Sequence, residues 1–169
     1  MVTKLDKTAE NVVQLLKAHG LTAATAESCT GGLISAEITS VSGSSDVFGY
    51  GVCTYANEAK MKLLGVKEET LASVGAVSEE TAVQMAEGAR LLSSADIAVS
   101  VTGIAGPTGG TPDKPVGTVY IGCSTAERTY ATRYLFTGEG FPEAENGREA
   151  IRYETALTAL ETVIKEIKN

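Results

Sequence analysis

One histidine stands in 169 residues. It is His19, in Lys17-Ala18-His19-Gly20, where Gly20 reads as the residue that ends a helix. His19 then occupies a last helical turn and complements the dipole there. That placement speaks against a Ser-His-Asp triad and against a histidine-based zinc site. The three cysteines, Cys29, Cys53 and Cys123, have neither metal-ligand nor CxxC spacing, so no metal is expected. Their odd number, with no secretory pattern in Met1-Val2-Thr3-Lys4-Leu5-Asp6, predicts a reducing, cytoplasmic setting. No run approaches the roughly 20 apolar residues of a membrane span, so no membrane is expected. Basic residues number 14 against 21 acidic ones, a net charge of −7, and they form no cluster. A phosphate backbone is therefore not the expected partner, and nucleic acid is set aside.

What is present is a chain long enough for one domain, residues 1–169, able to bury roughly 70% of its unfolded surface. There is no repeat, linker or low-complexity segment. Alanine and glycine are abundant, which suits close packing of helices on a sheet. Leu5, Ala9, Val12, Val13 and Leu16 recur at helical spacing and predict a first amphipathic helix. A strand is expected from Thr22 to Ala26, a short helix from Leu33 to Ile38, and a second strand from Val47 to Tyr55. Asn57 reads as the cap of the next helix. Ser78-Glu79-Glu80 opens a further helix whose buried face is Met85, Ala86, Ala89 and Leu92.

Ile97 to Val101 reads as a fully buried central strand. Gly117 to Cys123 and Thr129 to Phe136 read as a hairpin, with Cys53 and Cys123 as small core residues. Ile151, Ala156, Leu160, Val163, Ile164 and Ile167 mark the inner face of a long last helix. Early βα alternation predicts an α/β fold with a parallel sheet, helices on both faces, and one antiparallel strand from the hairpin.

In such sheets ligands bind beyond the carboxyl ends of the strands. Those ends carry Ser28, Tyr55 and Thr102, far apart in sequence and able to share one cleft. Ala26-Glu27-Ser28-Cys29-Thr30-Gly31-Gly32 places a hydroxyl and a thiol at a strand-to-helix turn. Unpaired N–H groups at a helix start bind anions and oxyanions. Gly31 and Gly32 allow a ligand close to the backbone. Two readings stand: a small-residue turn that packs helix on sheet, or a nucleophile, Ser28 or Cys29, beside oxyanion donors.

Lys60 lies in the first turn of the helix after Asn57, where a cation is disfavoured. Partial burial there lowers its pKa and makes it a candidate base for Ser28; the alternative is a surface lysine near Glu58. The loop from Thr102 to Pro115 is neither a Walker loop nor a GxGxxG fingerprint. Its backbone N–H groups can still meet a phosphate or carboxamide, or it is a tight crossover. Arg148 and Arg152, four apart, fit a phosphate or carboxylate, or else bridge Glu149 or Glu145.

Together these motifs resemble the C-terminal domain of the competence/damage-inducible CinA proteins. They run in order as Thr25-Ala26-Glu27-Ser28-Cys29-Thr30-Gly31-Gly32, Gly43-Ser44-Ser45, Thr54 to Lys60, Gly75 to Glu80, Val101-Thr102-Gly103-Ile104-Ala105-Gly106-Pro107, Lys114 to Val119, and Gly147 to Arg152. The resemblance covers nearly the whole chain. It implies a three-layer α/β/α sandwich with a mixed, mostly parallel five-stranded sheet. It implies nicotinamide-nucleotide amidase activity: nicotinamide mononucleotide and water give nicotinate mononucleotide and ammonia. It further implies a bacterial, cytoplasmic, metal-independent protein without a cofactor, often a homodimer.

Carried over by motif, Ser28 would be the nucleophile and Lys60 its base. Thr30, Gly31, Gly32, Ser44, Tyr55, Thr102, Gly103 and Arg148 would line the substrate site. Helix-start N–H groups near Gly31 would hold the oxyanion. A non-catalytic nucleotide-binding or regulatory module of a competence/damage response is the alternative, and an amidase for another carboxamide is a third reading. The sequence departs from the family at Val41-Ser42, where a proline is usual, and at Thr137 to Glu145, which is longer than usual.

Overall fold

The computed structural model describes residues 3–141 and 144–169. Part of the N-terminal stretch read above (1–2) and part of the 137–145 segment (142–143) lie outside the described residues. The elements follow in the order α1 (Lys4–His19), β1 (Ala23–Glu27), α2 (Leu33–Ser40), a 3₁₀ turn (Ser44–Asp46), β2 (Phe48–Cys53), α3 (Asn57–Leu64), α4 (Glu68–Ser73), α5 (Glu79–Ser93), β3 (Ile97–Gly103), β4 (Thr118–Ser124), β5 (Thr129–Leu135) and α6 (Gly147–Lys168). The five strands form one sheet in the order β2-β1-β3-β4-β5. β1 pairs parallel with β2 and β3; β4 pairs antiparallel with β3 and β5. Four strands therefore run one way, and β4 is the antiparallel member that the hairpin reading predicts.

Side-chain alternation divides the sheet into two faces. Ile97, Val99 and Val101 of β3 join Val119, Ile121 and Cys123 of β4 under α1, α2 and α6. Ala24, Ala26 and Ala98 face the other way, against Met85 and Ala89 of α5 and Leu64 of α3. This second face is built from small residues. At Gly122 a Cβ would stand 2.4 Å from the Ala82 carbonyl oxygen, so a side chain there would push α5 off the sheet. The abundance of alanine and glycine has its use here.

The helices start and stop for local reasons. Thr3 and Asp6 form a reciprocal capping box on α1, and Gly20 ends it in the left-handed region. The Ser78 side chain accepts from the Thr81 N–H at the start of α5, and Asn146 accepts from Glu149 at the start of α6.

Four sequence readings need correction. Ala56, not Asn57, occupies the cap position of α3, and no side chain caps it. Cys53 is exposed, because β2 is an edge strand, while Cys123 is buried. Leu92 is 45% exposed, since the buried stripe of α5 ends at Ala89. α4 has no buried residue and so left no apolar periodicity to read. Among the described residues no helix is long and apolar enough to cross a membrane.

Register decides where the cleft lies. Glu27 at the end of β1 pairs with Cys53 of β2 and Val101 of β3. Ser28, Thr54 and Thr102 are the next residues on three adjacent strands, so all three arrive at one level. The Ser28 N–H donates to Val101 O (3.0 Å) and the Thr54 N–H to Glu27 O (2.8 Å), which extends the ladder by one step on either side.

Candidate active site

Beyond these strand ends lies a cavity of about 280 Å³. Ser28, Tyr55, Lys60, Thr102, Gly103 and Arg148 are among its lining residues. Six positions predicted from sequence thus meet in one place.

Lys60 is the central feature. It is 1% exposed, on the first turn of α3. Its Nζ lies 3.1 Å from Ser28 Oγ and donates to two carbonyls, Thr54 O at 2.7 Å and Tyr55 O at 3.2 Å. Burial penalises the charged form and pulls the amine below the ordinary lysine range. Two N–H bonds of a neutral amine satisfy the two carbonyls. As an ammonium, Nζ donates its third N–H to Ser28 Oγ; as a neutral amine it would keep a lone pair for the Ser28 hydroxyl proton. This is the geometry of a nucleophile and its base.

Cys29 also lines the cavity but is the weaker nucleophile of the two. Its side chain is buried in the core between sheet and helices, and burial, reinforced by the nearby Glu27 carboxylate, pushes the thiol up to about 12. A helix N-terminus can lower a thiol pKa, but this one already holds an anion. Glu27 is fully buried, and its Oε2 accepts from the Gly32 and Ile34 N–H groups at 3.0 and 3.1 Å. Its Oε1 accepts from the Ser35 N–H at 2.8 Å.

Four predicted substrate residues are absent from the cavity lining. The Thr30 hydroxyl is buried and donates to Glu27 Oε2 at 2.7 Å. The Gly31 N–H donates back to Ser28 O at 3.1 Å. Gly32, at φ +99°, carries the chain into α2 and gives its N–H to Glu27. None of the three lines the cavity. Ser44 lies in the 3₁₀ turn before β2, whereas the cleft is at the other end of that strand. The six residues of β2, on the order of 17 Å, separate them.

The opposite wall is held by α6. Arg148 donates through Nη1 to Gly106 O and through Nη2 to Tyr55 OH at 3.2 Å. It bridges the Gly-rich loop to the end of β2 rather than pairing with Glu145 or Glu149. Guanidinium donors remain for an anionic ligand. Arg152, one turn on, donates to Thr30 O at 2.7 Å and so braces the nucleophile turn.

Sequence reasoning missed the third wall. Residues 74–78 supply Ala76 and Val77 to the cavity. Thr102 Oγ1 donates to Ala76 O at 2.8 Å, and Lys114 Nζ donates to Val74 O and Val77 O at 2.9 and 2.6 Å. The Thr102 hydroxyl therefore fixes this wall, although the residue itself lines the cleft. His19 is at the far end of the fold, with Nδ1 2.9 Å from Leu15 O.

Comparison with known proteins gives a consistent result. The family model of the CinA C-terminal domain matches residues 5–167. A CinA-like protein of Thermotoga neapolitana is 49% identical over 164 residues, 96% of this chain and 38% of the relative. A CinA-like protein of Kosmotoga olearia is 51% identical over 154 residues, 91% of this chain and 35% of its own length. The chain thus spans about a third of the length of the curated relatives it matches. Among solved structures, the competence/damage inducible protein CihA of Agrobacterium tumefaciens aligns with a TM-score of 0.90 at 41% identity, covering 99% of this chain and 97% of that one. The fold, the ordered motifs and these matches agree: the chain belongs to the CinA C-terminal domain family.

Proposed function

We propose that this protein is a nicotinamide-nucleotide amidase that converts nicotinamide mononucleotide and water to nicotinate mononucleotide and ammonia. The observation that carries the proposal is the buried Lys60 amine 3.1 Å from Ser28 Oγ, with two carbonyls taking its other bonds. A carboxamide is unreactive, so it requires an activated nucleophile, and this pair supplies one.

Ser28 Oγ attacks the carboxamide carbon as its proton passes to Lys60 Nζ. The oxyanion then needs donors. The Gly31 and Gly32 N–H groups are occupied and Thr30 does not line the cavity, which leaves the Cys29 amide; among the described residues it donates to no oxygen acceptor. Each such donor is worth about 2.7–4 kcal/mol in related chemistry. Lys60 returns the proton to the leaving nitrogen and ammonia departs. Water, deprotonated by Lys60, hydrolyses the ester. The nucleotide phosphate is assigned to Arg148 and the Gly-rich loop, since α2 offers it no free N-terminus.

The test is ammonia release from three compounds: nicotinamide, its riboside and its mononucleotide. The mononucleotide is expected to be preferred, with Arg148→Ala raising its KM by a larger factor than the riboside's. Equal turnover of all three contradicts the nucleotide assignment. Tight mononucleotide binding without ammonia release favours the regulatory module. The family resemblance also supports a cytoplasmic homodimer, which sedimentation would detect as twice the 17.5 kDa chain mass.

A further inference from the structure

We infer that Glu27 is a positioning residue of this site: its buried carboxylate ties the nucleophile turn to α2 and so sets Ser28 Oγ on Lys60 Nζ. The inference rests on the serine-lysine reading above.

Three observations lead to it. First, the carboxylate is fully buried and accepts five hydrogen bonds. Oε2 takes the Thr30 hydroxyl and the Gly32 and Ile34 N–H groups; Oε1 takes the Ser35 N–H and the Ser35 hydroxyl, the last at 2.7 Å. Second, the donors all lie beyond Ser28, on the loop after it and on the first turn of α2, while the carboxylate sits on the strand before it. The N-cap of that helix is Gly32, which has no side chain to cap with, so the strand residue does the capping. Third, Glu27 is bonded to Ser28 through the chain and pairs in register with both neighbouring strands. A shift of its carboxylate moves the serine.

Chemistry explains why a carboxylate stands here. An anion at a helix N-terminus is favoured, and one with five donors needs no counter-cation. Glutamine has the same shape but turns an NH₂ group toward N–H and O–H donors, so at least one bond is lost and one repulsive contact appears. Valine in place of Thr30 keeps shape and volume and removes only one donor.

The experiment uses wild type, Glu27→Gln, Thr30→Val and Ser28→Ala, with folding checked by circular dichroism. Two quantities are read: kcat and KM for ammonia release from nicotinamide mononucleotide, and the rate of Ser28 modification by an aryl sulfonyl fluoride, followed by intact mass. In the second reaction Ser28 Oγ bonds to sulfur, the S–F bond breaks, fluoride leaves and Lys60 takes the proton. Thr30→Val is expected to lower kcat on the order of tenfold and Glu27→Gln on the order of 100-fold, with KM within about threefold of wild type. The modification rate is expected to fall in parallel.

A stabilising role alone would lower the melting temperature and leave both rates unchanged; rates within twofold of wild type in both variants overturn the inference. So does a raised KM at constant kcat in Thr30→Val, which would make that hydroxyl a substrate contact. Should Glu27→Gln fail to fold, Thr30→Val decides. Wild type that is modified at Ser28 yet releases no ammonia rejects the substrate, while the modification rates still test Glu27. Ser28→Ala that remains as active as wild type, or wild type inert to both reagents, rejects the serine-lysine reading and this inference with it.

Discussion

Lys60 is a charged residue type with nowhere to put a charge. Its three hydrogen-bond partners would satisfy an ammonium, but burial penalises the charge, and the amine is pulled down accordingly. The proposed base acts in its neutral form. Activity should therefore rise with pH through the lowered Lys60 pKa and level off before about 10.4, the ordinary lysine value. The check is log(kcat/KM) against pH in the free enzyme: a slope of one on the acid side. A rate that falls across that range would assign the proton differently.

At this scale much of the site was legible, because Ser28, Tyr55 and Thr102 each follow an apolar run and Lys60 follows Tyr55 by five residues. Glu27 was not legible. A carboxylate beside a nucleophile reads as polar and solvated until the period of β1 puts it on the face that meets α2. Thr30 and Gly32 were grouped with the cleft for the same reason, since their partner Glu27 was unseen.

Among elements, the segment between α4 and α5 has a disproportionate role. It has little apolar surface, and its shape comes from donors on other elements. Thr102 on β3 and Lys114 on the Gly-rich loop hold its carbonyls, while Ser78 and Thr81 both donate to Gly75 O. Lys114→Met keeps the aliphatic stem and removes two bonds. It should cost about 1–3 kcal/mol of stability and raise KM about three- to tenfold, with kcat nearly unchanged. Thermal melting together with Michaelis kinetics tests this; an unchanged KM would show that the wall need not be fixed.

The elements themselves were mostly readable. Hydrophobic period and turn residues located every strand to within two residues of its ends and found the long helices. α4 escaped for want of a buried stripe. Ser44, carried over by motif, lies at the end of β2 away from the cavity.

For the whole molecule, one sheet divides two unlike layers. The α1, α2 and α6 face is packed with branched aliphatics; the α5 face is packed closely on alanine and glycine. That closeness carries α3, and with it Lys60, down onto the strand ends. Gly122→Ala should therefore cost about 2 kcal/mol, or roughly 4–8 °C in Tm, by forcing a methyl against the Ala82 carbonyl. Calorimetry would measure it, and an unchanged Tm would mean that α5 can retreat freely. Fold class and layer order were legible from βα alternation followed by a hairpin, since few topologies accommodate that order. The tightness of one layer was legible only as composition.

The central claim is that Ser28 and Lys60 act as one unit on a carboxamide. Ammonia release from nicotinamide mononucleotide by wild type, Ser28→Ala and Lys60→Arg, all folded, tests it most directly. The account predicts turnover by wild type, a loss on the order of 10⁴-fold or more in Ser28→Ala, and at least about 100-fold in Lys60→Arg, whose guanidinium cannot act as a base. Turnover in Ser28→Ala within tenfold of wild type would contradict it.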